Sequence, residues 1–213
     1  MKTKVFFTLL FMSMLGQVSI AQNEYDLTPE QRETIEQRVR EKINDFLSYL
    51  PEIAAKSDKS IEEKQLALKY IDKSLDLFIG EGKKYQYQDQ TGIWRWHDAV
   101  KMQTTSRGRI QAPRPMKTYL KHLMALPYKK VEIDTCQAVR INRKLHKTGD
   151  GRYTGSAVFV QAFRATRDGR LVVNDIDGKQ VTIYVERKII EGPSGQQEVW
   201  IIKLGDIRII TNY

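Results

Sequence analysis

Beyond Pro127 the chain changes its period. From Val131 to Ile210 apolar residues recur at every second position, whereas before Pro127 they recur at every third or fourth. Strands that follow one another with only short reversals between them become antiparallel neighbours. Helices grouped ahead of such strands predict an α+β fold rather than a parallel, doubly wound sheet. Val131, Ile133, Val139 and Ile141 share one face of the first strand. Residues 156–165 are apolar on both faces, with Val158 and Val160 on one and Phe159 and Phe163 on the other, as in a central, covered strand. Val181, Ile183 and Val185 alternate with Thr182, Tyr184 and Glu186, the pattern of a half-exposed strand. In 198–210 the apolar phase is even through Leu204 and odd from Ile207, so a bulge is expected at Gly205. Gly149-Asp150-Gly151, Asp168-Gly169, Asp177-Gly178 and Gly192–Gly195 read as the turns between these runs.

The helices carry their own signals. Thr28, Pro29 and Gln31 form a capping box with proline at the first helical position. Ile35, Val39, Ile43, Phe46, Leu47 and Leu50 then make one apolar stripe, and Pro51 is expected to end it. Ser60 and Glu63 open a second helix, with Ala67, Leu68, Ile71, Leu75, Phe78 and Ile79 as its stripe. A third helix is expected from Pro115 to Leu126, with Met116, Leu120, Leu123 and Met124 on its apolar side. Between the second and third helices, residues 83–113 give weak strand signals broken by Gly92 and Gly108, consistent with a short hairpin or one strand and a long loop.

The N-terminus reads as an export signal. Lys2 and Lys4 precede the apolar run Val5–Leu15, and Ser19-Ile20-Ala21 supplies a small-residue cleavage site. The run is shorter than the about 20 apolar residues a membrane span needs. Residues 1–21 are therefore expected to be a signal peptide and 22–213 a single domain, periplasmic or secreted, with no transmembrane segment after cleavage. With 41% hydrophobic residues, 29% charged residues and one cysteine, the chain is neither a disordered tail nor a disulfide-stapled miniprotein.

Two amphipathic helices, a third helix Met116–Leu126 leading into Val131–Ile141, and closing strands that end with Val199–Leu204 resemble the NTF2-like superfamily, which includes SnoaL-like and ketosteroid-isomerase-like proteins. The run Leu126-Pro127-Tyr128-Lys129-Lys130-Val131-Glu132-Ile133 resembles exported Bacteroidetes proteins. The resemblance implies a cone, with N-terminal helices packed on a curved antiparallel sheet and a pocket at its wide end. Some members of that superfamily catalyse there, and others bind ligand or dimerise through the sheet. Fold alone does not choose between these.

Charge is unevenly placed. The formal net charge is +9, but residues 22–100 are net −4, residues 101–170 net +12 and residues 171–213 net −1. Arg107, Arg109, Arg114, Lys117, Lys121, Lys129, Lys130, Arg140, Arg143 and Lys144 therefore form the candidate binding set. A basic surface attracts an acidic protein, an acidic glycan or a lipid headgroup, and otherwise keeps a protein in solution. Nucleic acid matches the charge but not an exported protein. Tyr85, Tyr87, Trp94 and Trp96 are candidate pocket aromatics, or else the packing of a hairpin.

Catalytic signals are sparse. His97, Asp98 and Asp134 are the candidates for a pocket enzyme of isomerase, dehydratase or hydrolase type, as general base or acid. Asn174-Asp175-Ile176-Asp177-Gly178 approaches a calcium loop, but the EF-hand spacing would put Val173 and Tyr184 where acidic ligands are required, so a turn is expected there. No metal site and no cofactor is implied. The sequence reading therefore favours an exported, non-catalytic binding or interaction protein of the bacterial envelope, with a homodimer through the open sheet face as a further option.

Overall fold

The capping boxes start both N-terminal helices as expected. Thr28 Oγ1 accepts the Gln31 N–H at 3.2 Å and Gln31 Oε1 accepts the Thr28 N–H at 3.0 Å, which opens α1 (Pro29–Ile53). Ser60 and Glu63 open α2 (Ile61–Asp76) in the same way. The structure, a computed structural model, describes residues 27–54, 60–89, 91–106, 108–192 and 195–211, and at 135–137 the backbone alone. The expected signal peptide lies outside the described residues. Pro51 does not end α1. It sits in the last turn, and the Ala54 N–H still reaches the Leu50 carbonyl at 2.9 Å. One lost donor near a helix end is tolerated where the flanking residues Leu50 and Ile53 are fully buried.

A 3₁₀ turn at Ile79–Gly82 leads to a hairpin of β1 (Tyr85–Gln88) and β2 (Trp94–His97). Short strands follow: β3 (Lys101–Met102), β4 (Thr105–Ser106), β5 (Arg109–Ile110) and β6 (Arg114–Pro115). Helix α3 (Met116–Met124) then precedes four long strands, β7 (Lys130–Gly149), β8 (Arg152–Arg167), β9 (Arg170–Gly192) and β10 (Gly195–Ile210). The main sheet has the order β6-β3-β10-β9-β8-β7. All its pairings are antiparallel except β3 on β10, where Met102 faces Ile207. The fold is thus α+β, with three helices and a mostly antiparallel sheet.

The helices cover one face of the sheet, called the inner face below. Ile35, Val39, Ile43 and Leu50 of α1, Ile71 and Leu75 of α2, and Met116 and Leu120 of α3 share a core with Ala157, Phe159, Val181, Ile183 and Leu204. Phe46 and Phe78 meet edge to face at 5.1 Å within it. β8 is covered on both faces from Gly155 to Ala162, as its two-sided apolar pattern predicts.

The phase slip in the last strand is a bulge. Leu204 pairs with Ile183 and Ile207 with Val181, so Gly205 and Asp206 together oppose Thr182. Glycine is needed there because a Cβ would lie 2.6 Å from the Tyr184 ring. Asp206, the second bulged residue, accepts the Lys101 N–H at 2.8 Å and so helps dock β3.

The turns at Gly149–Gly151 and Asp168-Gly169 lie where expected, and Gly192 pairs with Gly195 at the ends of β9 and β10, the residues between them lying outside the described residues. Asp177-Gly178 is a correction. It is not a turn but the interior of β9, with Gly178 paired to Val160 on one side and Ile210 on the other. Flanking strands supply ladder partners on both sides, and that overrides the local turn preference of Asp-Gly.

Candidate functional site

Following β9 backwards along its inner face leads to the site. Val181, Ile183 and Val185 are fully buried in the core. The same phase continues upstream into Lys179, Asp177 and Asp175. Across the β8 pairing these three face Phe159, Gln161 and Phe163. The helix-facing side of the sheet therefore passes from apolar to charged along a single strand.

The charged end is roofed. Tyr119, His122, Leu123 and Leu126 of the α3 segment lie over it, and Thr104–Ser106 close one side. Thr105 Oγ1 donates to Asp177 Oδ1 at 2.7 Å, and the Gly108 N–H donates to Asp175 Oδ1 at 3.2 Å. The cavity, partly open to solvent, holds about 180 Å³. A dry cavity of about 150 Å³ suffices for benzene, so this one admits a ligand of single-ring size. Leu123, Leu126, Phe163 and Val173 give it apolar walls.

Three groups inside it are unusual. Lys179 is 3% exposed, and its Nζ lies 3.7 Å from Asp177 Oδ2. Burial pushes its ammonium down to about 8, against the opposing pull of the Asp177 carboxylate. Gln161 is 4% exposed, and its Nε2 has no hydrogen-bond partner among the described residues. Burial pushes the Tyr119 hydroxyl well above the usual phenol range. At the rim, Arg114 Nη1 lies 3.1 Å from His122 Nδ1. Guanidinium has no acceptor, so the imidazole nitrogen must accept.

The expected catalytic residues are elsewhere. His97 is exposed on β2 and stacks on Tyr85 with ring centres 5.2 Å apart. Asp98 is exposed and pairs with Lys101 at 3.2 Å and Lys84 at 3.9 Å. Asp134 is exposed and pairs with Arg164 at 2.9 Å. None of the three lines this cavity or the second one, formed around Tyr85, Tyr87 and Trp94. The physical reason is position. His97 and Asp98 end an outlying hairpin, and Asp134 lies on the opposite phase of β7 from buried Ile133.

The aromatic set divides. Tyr85, Tyr87 and Trp94 line a second cavity of about 300 Å³ together with Tyr184 and Arg152, whereas Trp96 is 70% exposed and outside it. These groups mostly satisfy one another. Tyr87 packs edge to face on Tyr184 at 4.7 Å, and its hydroxyl is 2.9 Å from Thr148 Oγ1. The Arg152 guanidinium lies 4.7 Å over Trp94 and also bonds Glu186 and Gln88.

The basic residues do not converge on one element. Arg109 is exposed on β5, and Arg114 reaches the rim of the first cavity. Lys117 and Lys121 are exposed on α3, Lys129 and Lys130 precede or begin β7, and Arg140, Arg143 and Lys144 are exposed along it. Lys130 is paired with Glu132. Arg107 lies outside the described residues.

Lys179 and Gln161 do not figure among the sequence candidates, Asp177 figures there only in the calcium-loop pattern, and Tyr119 only as an aromatic able to stack bases. One signal could have found Lys179 and Asp177: they continue the inward phase of Val181, Ile183 and Val185, where charge is out of place. Among the described residues, no helix is long and apolar enough to cross a membrane, and no group of three or more metal-binding side chains occurs. Set against family models, curated proteins and solved structures, the chain finds no match in any of the three.

Proposed function

We propose that the protein binds a small, neutral, carbonyl- or hydroxyl-bearing molecule in the cavity between α3 and the inner face of β8 and β9. One observation carries this reading: Gln161, whose buried amide donor Nε2 has no partner among the described residues, lines that cavity. An unsatisfied buried donor costs about 1–3 kcal/mol, a penalty that a ligand's oxygen would remove. Charge balance supports a neutral ligand. The Lys179 ammonium is already opposed by Asp177, and Asp175 stands beside them, so an added anion would meet carboxylates. The order of helices and strands supports the NTF2-like reading, with the cavity as the pocket of the cone. The N-terminal signal pattern supports a place in the bacterial envelope. The reading keeps to a binding protein rather than an enzyme.

The test is a Gln161→Leu variant. Its shape is close and its buried donor is gone, so the fold should keep or slightly gain stability in urea. Affinity for single-ring amides and alcohols, found by ligand-observed NMR on the wild-type chain, should fall about tenfold or more. Equal affinity of wild type and variant for every such compound defeats the proposal. So does a complete absence of binders.

The basic surface supports a second reading, contact with an acidic partner. Lys117, Lys121, Lys129, Arg140, Arg143 and Lys144 make no ion pair among the described residues, so their charge is uncompensated nearby. Capture of an acidic partner should then weaken steeply with salt and with charge reversal at Lys117, Lys121 and Lys129.

A further inference from the structure

We infer that Lys179 is a nucleophile, and that the cavity takes small aldehydes or ketones into a reversible imine with its side-chain amine. This deepens the proposed function and rests on it. Lys179 is the inner-face neighbour of Asp177 along β9, and Gln161 faces Asp177 across the β8 pairing. The carboxylate thus stands between the amine and the unpartnered amide donor. Tyr119 lines the same cavity.

Those placements match what imine formation requires. The uncharged amine attacks the carbonyl carbon, a C–N bond forms, and the C=O π electrons move to oxygen. Gln161 Nε2 and the Tyr119 hydroxyl donate hydrogen bonds to that oxygen as its charge grows. Asp177, 3.7 Å from Nζ, passes two protons in turn from the nitrogen to the oxygen: the first turns the oxyanion into the carbinolamine hydroxyl, and the second lets that hydroxyl leave as water. Aldehyde and amine give imine and water, with no oxidant or reductant needed. Desolvation keeps part of the amine uncharged. With its ammonium pushed down to about 8, roughly a tenth is free base at pH 7, against well under a thousandth for an ordinary lysine. Apolar walls from Leu123, Leu126 and Phe163 suit a ring or short chain on the carbonyl carbon.

The experiment uses the full chain, benzaldehyde below one equivalent, and cyanoborohydride at pH 7, followed by peptide mapping. Lys179 should be modified at least about tenfold faster than the mean of the other lysines. Lys179→Arg, which keeps the charge and lacks the nucleophile, should remove that product while leaving the remaining adducts unchanged. Benzamide, which fits the same space and cannot form an imine, is titrated in parallel by NMR. Benzamide binding at the cavity with no preference for Lys179 overturns the nucleophile and leaves the binding reading standing. Adducts spread over exposed lysines with no benzamide binding overturn both. Mapping of the wild-type chain decides the matter even if the variant is unstable.

Discussion

The two halves of one face of β9 do opposite work. Val181, Ile183 and Val185 point inward, are fully buried and lie under the helices. Lys179 and Asp177 point inward on the same phase and are buried almost as completely, at 3% and 9%. Identical backbone geometry and similar burial carry hydrocarbon in one half and an ion pair in the other. The apolar half gains from leaving water. The charged half loses hydration that a 3.7 Å contact only partly restores. Such a pair contributes little to holding a sheet together, which is why we attach ligand chemistry to that half and stability to the other.

The sharpest way to break the comparison is to damage each half in turn. Ile183→Ala removes buried methyl groups from the apolar half and should lower unfolding free energy by about 2–5 kcal/mol in urea titration. A loss below about 1 kcal/mol would show that this half is not the stabilising one. The charged half should respond to pH. Lys179 holds its proton less tightly when folded than when unfolded, so between about pH 8 and pH 10.5 the unfolded chain binds more protons. Stability from this group therefore rises with pH through that window, by up to about 3 kcal/mol. The difference between wild type and Lys179→Met across that window isolates it from the other lysines and tyrosines. A flat difference contradicts the buried, charged lysine. The smallest effect should come from replacing the pair together. Asp177→Leu with Lys179→Met should leave stability unchanged or raise it by about 1 kcal/mol or more, while abolishing ligand binding. A large loss of stability in the double variant would put the pair among the fold's supports.

The same two halves show what a sequence reveals. Val181, Ile183 and Val185 announce a strand face because alternation is a local pattern. The slip from Leu204 to Ile207 announces its bulge for the same reason, and Thr28 and Ser60 announce their helices. Asp177-Gly178 misleads because its turn chemistry is also local and strong, while the strand that contains it is set by two distant partners, Val160 and Ile210. Gln161 and Tyr119 carry no local signal at all. One lies in an apolar strand and the other on a helix, and only the passage of α3 over β8 and β9 brings them to one cavity. His97 next to Asp98 suggests a catalytic pair only because the two are adjacent in the chain. Adjacency in a hairpin left both in solvent.

The bulge at Gly205 makes the final strand two short rails joined out of step. Upstream of it even-numbered side chains look toward the helices, and downstream odd-numbered ones do. Excising Gly205 would restore regular pairing and leave Ile207 facing inward opposite Val181, because Leu204 and Ile207 would then be ordinary alternate positions. What would change is Asp206, which would become the single residue opposite Thr182, so the carboxylate that now accepts the Lys101 N–H would be displaced and β3 would lose that tie to the sheet.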